Sequence, residues 1–322
     1  DIDAFSCKTL EINSGKRPFY KCKKAILADI TKITVQDLLE DNKSIDLIIG
    51  GPPCQAFSVF GQRKGLNDPR GNLVWEYLRI LQEIQPTVFV FENVAGLKSI
   101  HNGELYVEII KSLALDGLYE VSAHHYQLAD FGIPQFRDRV FFIGTKNGKL
   151  VPPMEPTHGE LHLFASKPYR TVTDALRFLP EPGQLSHVPN HIGRKHSQRI
   201  IDRYLNLKHG ERDPKTRINK LHPERPSFTI IVGSDKGGGK GHVHPFAPRE
   251  VTPRESARMQ AFPDWWEFHG TGRHVIRQVG NAVPPLFAAQ LAEHIKFHAF
   301  GSAYKKSYEE LVDILGLDYL IT

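Results

Sequence analysis

A short apolar run that ends in a turn rich in glycine and proline is the feature that most restricts the fold of this chain. Residues 45–49 (Ile-Asp-Leu-Ile-Ile) are followed directly by Gly-Gly-Pro-Pro-Cys-Gln at residues 50–55. An apolar run of this length, bounded by turn residues, is typical of a buried strand. The turn leaves Cys54 just beyond the carboxyl end of that strand. Ligands of open α/β sheets bind at this edge, so Cys54 is a candidate functional residue.

The first part of the chain alternates between strand-like and helix-like segments. A second apolar run at residues 87–91 predicts another buried strand, and residues 119–126 and 139–144 predict a further pair. Apolar residues at helical spacing predict helices over residues 72–84 and 104–115. This alternation predicts an α/β fold, a Rossmann-like sheet that is mainly parallel and has helices on both faces.

Periodicity is poor in the middle of the chain and returns near its end, where helices are predicted over residues 285–300 and 308–315. The middle is rich in Pro, Gly, His, Lys and Arg. We therefore predict a first domain over residues 1–160. A second, smaller and loop-rich domain is predicted over residues 161–270, and residues 271–322 return to the first domain.

Positive charge is concentrated in one part of the chain. Residues 165–280 contain 20 Lys and Arg against 11 Asp and Glu, whereas the rest contains 21 against 25. A binding face for a polyanion such as nucleic acid and an ordinary solvated basic surface both explain this imbalance. No apolar run approaches the roughly 20 residues of a membrane span.

Cysteine usage points to a reducing compartment and away from structural zinc. The three cysteines, Cys7, Cys22 and Cys54, are widely spaced and odd in number, and none forms a Cys-x-x-Cys pair. His242 and His244 are spaced like a pair of metal ligands, but no third ligand is evident, so we predict no metal site.

Further motifs accompany the Pro-Cys-Gln turn in a fixed order. They are Phe-Glu-Asn-Val at residues 91–94, Gln-Phe-Arg-Asp-Arg at 135–139, Thr-Pro-Arg-Glu at 252–255, Phe-Pro-Asp at 262–264, and Gln-Val-Gly-Asn-Ala-Val-Pro-Pro at 278–285, which we expect to open the late helix. Together they resemble the motifs of the C5-cytosine DNA methyltransferase family, of the bacterial restriction–modification type, and they span nearly the whole chain.

The resemblance implies methyl transfer to C5 of a cytosine that is flipped out of a specific duplex DNA sequence. A thiolate that adds to C6 makes C5 nucleophilic, and cysteine is suited to this step because it is strongly nucleophilic and leaves readily. The catalytic residues it implies are Cys54 as nucleophile, Glu92 as donor to N3, Arg139 as ligand of O2, and Arg137 and Asn93 as supporting groups. For Arg137 and Asn93 a purely structural hydrogen bond is an equally good interpretation.

The cofactor implied is S-adenosylmethionine, and no metal is required. By resemblance its binding residues are Asp1, Ile2, Asp29, Ile30, Pro53, Leu73, Asn281 and Val283. The family's opening Phe-x-Gly-x-Gly segment is absent from this sequence. We expect that segment either to be missing from the sequence or to be supplied by a partner chain.

The DNA-binding residues implied lie in two glycine-containing segments. Residues 56–71 correspond to the loop that closes over the flipped base and carry Gln62, Arg63, Lys64 and Arg70. Residues 229–244 are candidate sequence readers and carry Lys236 and Lys240. A bacterial enzyme of this kind is expected in the cytoplasm, associated with the nucleoid.

Two other functions stay open at this point. An RNA cytosine-C5 methyltransferase would share the same motifs, although the basic middle of the chain favours DNA. A non-catalytic DNA-binding subunit is suggested by the absent first motif. A thiol hydrolase is disfavoured, because His124 and His125 are only loosely placed as bases for Cys54.

Overall fold

A four-stranded mixed sheet forms the centre of the protein. The structure, a computed structural model, describes residues 1–22, 24–39, 44–52, 72–146, 148–160, 167–184, 187–230, 232 and 241–321. The strands are β1 (Leu47–Gly50), β2 (Val88–Val94), β3 (Glu120–Gln127) and β4 (Asp138–Thr145). Their order in the sheet is β1-β2-β4-β3. Each strand corresponds to one of the predicted strands, and the predicted α/β class is confirmed.

The prediction of a mainly parallel sheet was wrong for the described strands. Within the four-stranded sheet only β1 and β2 run parallel, whereas β4 is antiparallel to both of its neighbours. Residues 128–137, which connect β3 to β4, are too few for the helical crossover that a parallel pair requires. The burial predicted for the first strand was also wrong. Within the described part β1 pairs only with β2, and the Ile49 side chain is 73% exposed.

Helices cover both faces of the sheet, as predicted. Phe89 and Phe91 of β2 join one buried cluster, whereas the alternating residues Val88 and Val90 join a second cluster on the opposite face. The first cluster is closed by α3 (Asn72–Ile84) and α4 (Glu104–Leu113), and the second by α9 (Pro285–His298) and α10 (Tyr308–Leu315). The strand ends that carry the motifs therefore project from a rigid three-layer core.

Shorter elements complete the described structure. They are α1 (Ala4–Asn13), α2 (Val35–Leu39), β5 (His158–Gly159), β6 (Lys167–Pro168), α5 (Val172–Leu176), α6 (Gln198–Asn206), α7 (Pro253–Met259), α8 (Gly272–Asn281) and 3-10 turns at Ile30–Lys32, Ala95–Gly103, Leu128–Phe131 and Asp318–Leu320. Between α6 and α7 the described backbone pairs through isolated bridges rather than strands. None of the described helices has the length and apolarity of a membrane span.

The motif at residues 278–285 leads into the predicted late helix, which begins at the motif's last residue, but its first half belongs to another helix that was not predicted. Its first half ends α8 at Asn281, and α9 begins afresh at Pro285. A proline is accepted at the first position of a helix but breaks its interior. The Pro284-Pro285 pair therefore separates the two helices, and residues 282–284 form a half-buried to buried turn between them.

Candidate active site

Glu92 and Arg139 form an ion pair across neighbouring strands. Arg139 of β4 lies opposite Val94 of β2, and Glu92 is two residues earlier on the same face of β2. The Arg139 Nε atom donates to Glu92 Oε1 at 2.8 Å. Burial raises the pKa of Glu92, while the positive charges of Arg139 and Arg137 act to lower it. The net shift is upward, so this carboxyl takes up a proton more readily than an exposed glutamate.

Asn93 connects this pair to the turn that follows β1. The Asn93 side chain is buried, and its Nδ2 atom donates to the Pro52 carbonyl oxygen at 3.1 Å. A Cβ atom placed on Gly51 would lie 2.8 Å from Glu92 Oε2, so only glycine fits at this position without displacing the carboxylate. The structure thus brings Glu92, Asn93 and the beginning of the predicted nucleophile turn together. Cys54 and Pro53 lie outside the described residues.

Arg137 is a buried guanidinium beneath this site. Its Nη2 atom donates to the carbonyl oxygens of Gly280 and Ala282 at 2.9 and 3.0 Å. Its Nε and Nη1 atoms are buried and have no partner among the described residues. Burial, together with the nearby Arg139, lowers the pKa of Arg137 to about 9, against the opposing effect of Glu92. Arg137 therefore joins the strand motif to the turn between α8 and α9, which the sequence did not reveal.

The predicted cofactor residues at the start of the chain lie beside those near residue 29. The Asp1 carbonyl oxygen accepts from Ala28 N at 3.0 Å, so Ile2 and Asp29 are neighbours. Asp29 Oδ1 caps the following 3-10 turn by accepting from Thr31 N, whereas its Oδ2 atom is free among the described residues. Ile2 is 75% exposed. An exposed apolar side chain next to two carboxylates fits a nucleoside, whose base needs packing and whose hydroxyl and amino groups donate hydrogen bonds.

The remaining cofactor candidates lie on other elements. Asn281 is exposed at the end of α8, and this helix is joined to the first residues by an ion pair of Arg277 with Asp3 at 2.6 Å. Val283 packs against the cluster under α9, and Leu73 is half-buried on α3. Ile30 begins a 3-10 turn that Arg79 of α3 holds through the Ile30 carbonyl oxygen at 3.3 Å.

The predicted DNA-binding residues cannot be placed. Gln62, Arg63, Lys64, Arg70, Lys236 and Lys240 all lie outside the described residues, so their roles stay predictions. His242 and His244 are both buried, and His242 Nε2 lies 3.3 Å from the Thr229 carbonyl oxygen. In the described part of the chain no three His, Cys, Asp or Glu side chains are grouped as metal ligands.

A buried polar network that was not predicted from the sequence lies at the start of α7. Thr252 and Glu255 form a reciprocal capping box, in which each side chain accepts from the backbone N–H of the other. Glu255 also forms a two-pronged ion pair with Arg249, at 2.8 Å for each bond. His244 completes the network, with Nε2 at 3.7 Å from Glu255 Oε1. The Thr-Pro-x-Glu spacing is a helix-start signal, and the cap could have been predicted from it.

Comparison with known proteins agrees with this geometry. Residues 1–297 match the model of the family described as C-5 cytosine-specific DNA methylase. The chain is 36% identical over 326 residues to the type II methyltransferase M.NgoFVII of Neisseria gonorrhoeae, covering 97% of this chain and 84% of that protein. It is 33% identical over 307 residues to the type II methyltransferase M.BbvI of Brevibacillus brevis, covering 88% of this chain and 77% of that protein.

Solved structures give the same result at the level of the fold. A DNA modification methyltransferase encoded within an E. coli prophage superposes with a TM-score of 0.67 at 26% identity, covering 88% of this chain and 87% of that one. Dnmt2 methyltransferase of S. pombe shares the fold, with a TM-score of 0.53 at 22% identity over 88% of this chain and 85% of that one. The expected partner chain receives no support from these comparisons. The chain belongs to the C-5 cytosine-specific DNA methylase family, and its cofactor is S-adenosylmethionine.

Proposed function

We propose that this enzyme methylates C5 of one cytosine, flipped out of a specific duplex DNA sequence, through a covalent bond between Cys54 and C6 of the base. The observation that carries the proposal is the buried Glu92–Arg139 pair, held against the turn that leads to Cys54 by the bond from Asn93 to Pro52. Family membership and the order of the motifs support it. The relatives named as type II methyltransferases support a role in restriction–modification.

In this mechanism Cys54 and Glu92 activate the base together. The Cys54 thiolate adds to C6, and the electron pair of the C5–C6 bond becomes available at C5 while Glu92 gives a proton to N3. When bound, S-adenosylmethionine would supply the electrophilic methyl group, whose bond to the sulfonium sulfur breaks as the bond to C5 forms. Loss of the C5 proton to solvent water then expels the Cys54 sulfur from C6, and return of the N3 proton to Glu92 restores the neutral aromatic ring. Burial favours the protonated form of Glu92, which is the form that this step consumes.

The other site residues hold this arrangement in place. Arg139 orients Glu92 and donates to O2 of the cytosine, where negative charge grows as the thiolate adds. Asn93 fixes the turn before Cys54, and Arg137 fixes the turn at residues 280–282. These two are positioning residues, because in the structure their side chains bind the protein backbone.

The chain's residues fit S-adenosylmethionine. Asp1 would accept from the ribose hydroxyls, Ile2 would pack on adenine, and Asp29 would accept from the adenine amino group. The remainder would be held by Ile30, Pro53, Leu73, Asn281 and Val283. Residues 161–270 form the target-recognition domain, with Lys236 and Lys240 as readers, and Gln62, Arg63, Lys64 and Arg70 contact DNA from the loop at residues 56–71. Since its substrate is DNA, we place the enzyme in the cytoplasm with the nucleoid.

Covalent trapping tests this mechanism. Unmethylated plasmid DNA is first treated with the protein and S-adenosylmethionine, and bisulfite sequencing identifies the methylated site. A duplex with 5-fluorocytosine at that site is then expected to give an adduct that survives denaturation, because fluorine at C5 blocks the final elimination.

Single substitutions provide the controls. Cys54→Ser is expected to abolish the adduct and to retain DNA binding, whereas Cys22→Ser is expected to change neither. Glu92→Gln is expected to slow adduct formation far more than DNA binding. Methylation without a trapped adduct, or an adduct with Cys54→Ser, contradicts the proposed nucleophile.

A further inference from the structure

The segment at residues 241–250 reverses the usual distribution of polar and apolar side chains. His242 and His244 are buried, whereas Phe246 is 65% exposed and is the most exposed residue of the segment. A buried polar group costs free energy unless a partner compensates, whereas a single exposed apolar side chain becomes informative only when the surrounding structure holds it in place. Here both occur within five residues, in the basic part of the chain.

Hydrogen bonds hold this segment as a tight turn, which we name the Phe246 finger and define as residues 244–249. Val243 and Glu250 pair across its base as an antiparallel bridge. His244 Nδ1 accepts from the backbone N–H groups of Phe246 and Ala247 at 3.2 and 3.0 Å. Pro245 and Pro248 restrict the backbone further. The finger therefore presents its aromatic ring with little conformational freedom left to lose on binding.

The base of the finger is anchored on the network around Glu255. Arg249 and His244, at its two ends, both contact that buried carboxylate. The His244 ring lies edge-on to the Phe246 ring, with centroids 5.9 Å apart, and so orients it. The Phe246 ring is therefore held in one orientation although it is exposed and fills no gap in the core.

Contacts also connect the finger to the catalytic strand. His242 lies beside the Thr229 carbonyl oxygen, and Thr229 Oγ1 donates to the Phe136 carbonyl oxygen at 2.7 Å. Phe136 immediately precedes Arg137 in the motif that ends with Arg139. The residues that lead into the finger are therefore linked, through Thr229, to the segment that carries Arg137 and Arg139.

We propose that Phe246 is a specificity-determining residue that contacts base faces or edges of the substrate duplex near the target cytosine. This rests on the proposed function, because it assumes methylation at one sequence. A phenyl ring carries no charge that could pair with a phosphate, so we expect it to contact the bases. It could stack between two base pairs that have separated, or pack against the methyl group of a thymine. Lys and Arg are abundant in this part of the sequence, and their charge would supply the attraction to the DNA backbone that an apolar ring lacks.

Phe246→Ala tests this assignment, and Phe297→Ala is the matched control, since Phe297 is a half-exposed aromatic on α9. DNA binding is measured over a range of salt concentrations, and bisulfite sequencing of unmethylated phage DNA records the methylated sites. Phe246→Ala is expected to weaken binding at least about fivefold, the lower range for loss of an aromatic–base contact. The slope of affinity against salt should stay unchanged, because no phosphate contact is lost. Methylation should spread to sites with one altered base, and Phe246→Trp should restore selectivity in part.

The outcomes separate this inference from the proposed function. Absence of methylation by the unaltered enzyme overturns both. Normal methylation by the unaltered enzyme with unchanged affinity and site pattern in Phe246→Ala overturns the role of Phe246 alone. A loss of affinity with a reduced salt slope, or equal losses in Phe297→Ala, also contradicts it. Circular dichroism and a thermal melt confirm that each variant is folded.

Discussion

At the scale of single residues, the proposed mechanism makes catalysis depend on the charge state of Glu92. Burial and two arginines act on the pKa of this carboxyl in opposite directions, and burial prevails. Desolvation therefore favours the protonated form that the proposed mechanism requires, while Arg139 keeps the side chain oriented. The same arginine both orients the carboxyl and weakens its hold on the proton.

Removing the positive charge of Arg139 is expected to raise the pKa of Glu92 further. If Glu92 acts as an acid, kcat/KM falls as the pH rises through its pKa. Arg139→Gln should lower the maximum rate, because a ligand of the base is lost, and should move this alkaline fall to higher pH. A pH profile of kcat/KM for both proteins measures the shift. A profile of unchanged shape excludes Glu92 as the titrating acid.

Gly51 is expected to be irreplaceable for a steric reason. An added Cβ atom would lie 2.8 Å from Glu92 Oε2, so Gly51→Ala must displace the carboxylate from Arg139. We expect kcat to fall at least about tenfold, which corresponds to 1.4 kcal/mol in the barrier, with a nearly unchanged melting temperature. Gly96→Ala is the control, because nothing lies within 4 Å of a Cβ atom there. Equal activity of the two variants contradicts the steric argument.

At the scale of elements, the start of α7 shows how a short helix within the predicted second domain is held in place. Its seven residues would be marginal alone, and the cap by Thr252 and Glu255 together with Arg249 gives it a defined position. The buried carboxylate is kept ionised: burial alone would raise the pKa of Glu255, but hydrogen bonds and charge from Arg249 lower it overall.

Glu255→Ala is expected to destabilise the protein by about 3–5 kcal/mol, because it leaves the Arg249 guanidinium half-buried without its partner. Glu310→Ala is the matched control. Glu310 occupies the same position of the capping box of α10 but is exposed, so its loss should cost only about 1 kcal/mol. Urea denaturation of the three proteins measures the difference. Similar losses in both variants contradict a special role for the buried pair.

At the scale of the whole molecule, buried histidines couple stability to pH. Burial lowers the pKa of each of four histidines to about 4, namely His158, His242, His244 and His294. In the unfolded chain they titrate near 6.5. Between these values the unfolded chain binds protons that the folded protein does not, so stability is complete above pH 6.5 and falls as the pH decreases toward 4.

Thermal denaturation at a series of pH values tests this coupling. The melting temperature is expected to be level above pH 6.5 and to fall steadily between pH 6.5 and 4. His242→Gln should reduce the steepness of this fall, since an amide does not titrate. A melting temperature that starts to fall only below pH 4.5 would assign acid sensitivity to carboxylates such as Glu255, whose pKa is lowered.

The sequence by itself determined the strands, several helices and the family. Helices over residues 72–84 and 308–315 have the predicted bounds, because amphipathic spacing and helix-start signals are local properties of the chain. The motifs that indicate the family were identified for the same reason, since each occupies a few consecutive residues.

Only the tertiary structure decided how these parts meet. Four features depend on residues that are distant in sequence. They are the antiparallel direction of β4, the exposure of Ile49, the bonds from Arg137 to residues 280 and 282, and the contacts of the Phe246 finger with Glu255. No local periodicity encodes such contacts. They are selected by which arrangement buries apolar surface while it leaves the fewest polar groups unpaired, and that balance is defined only for the folded chain.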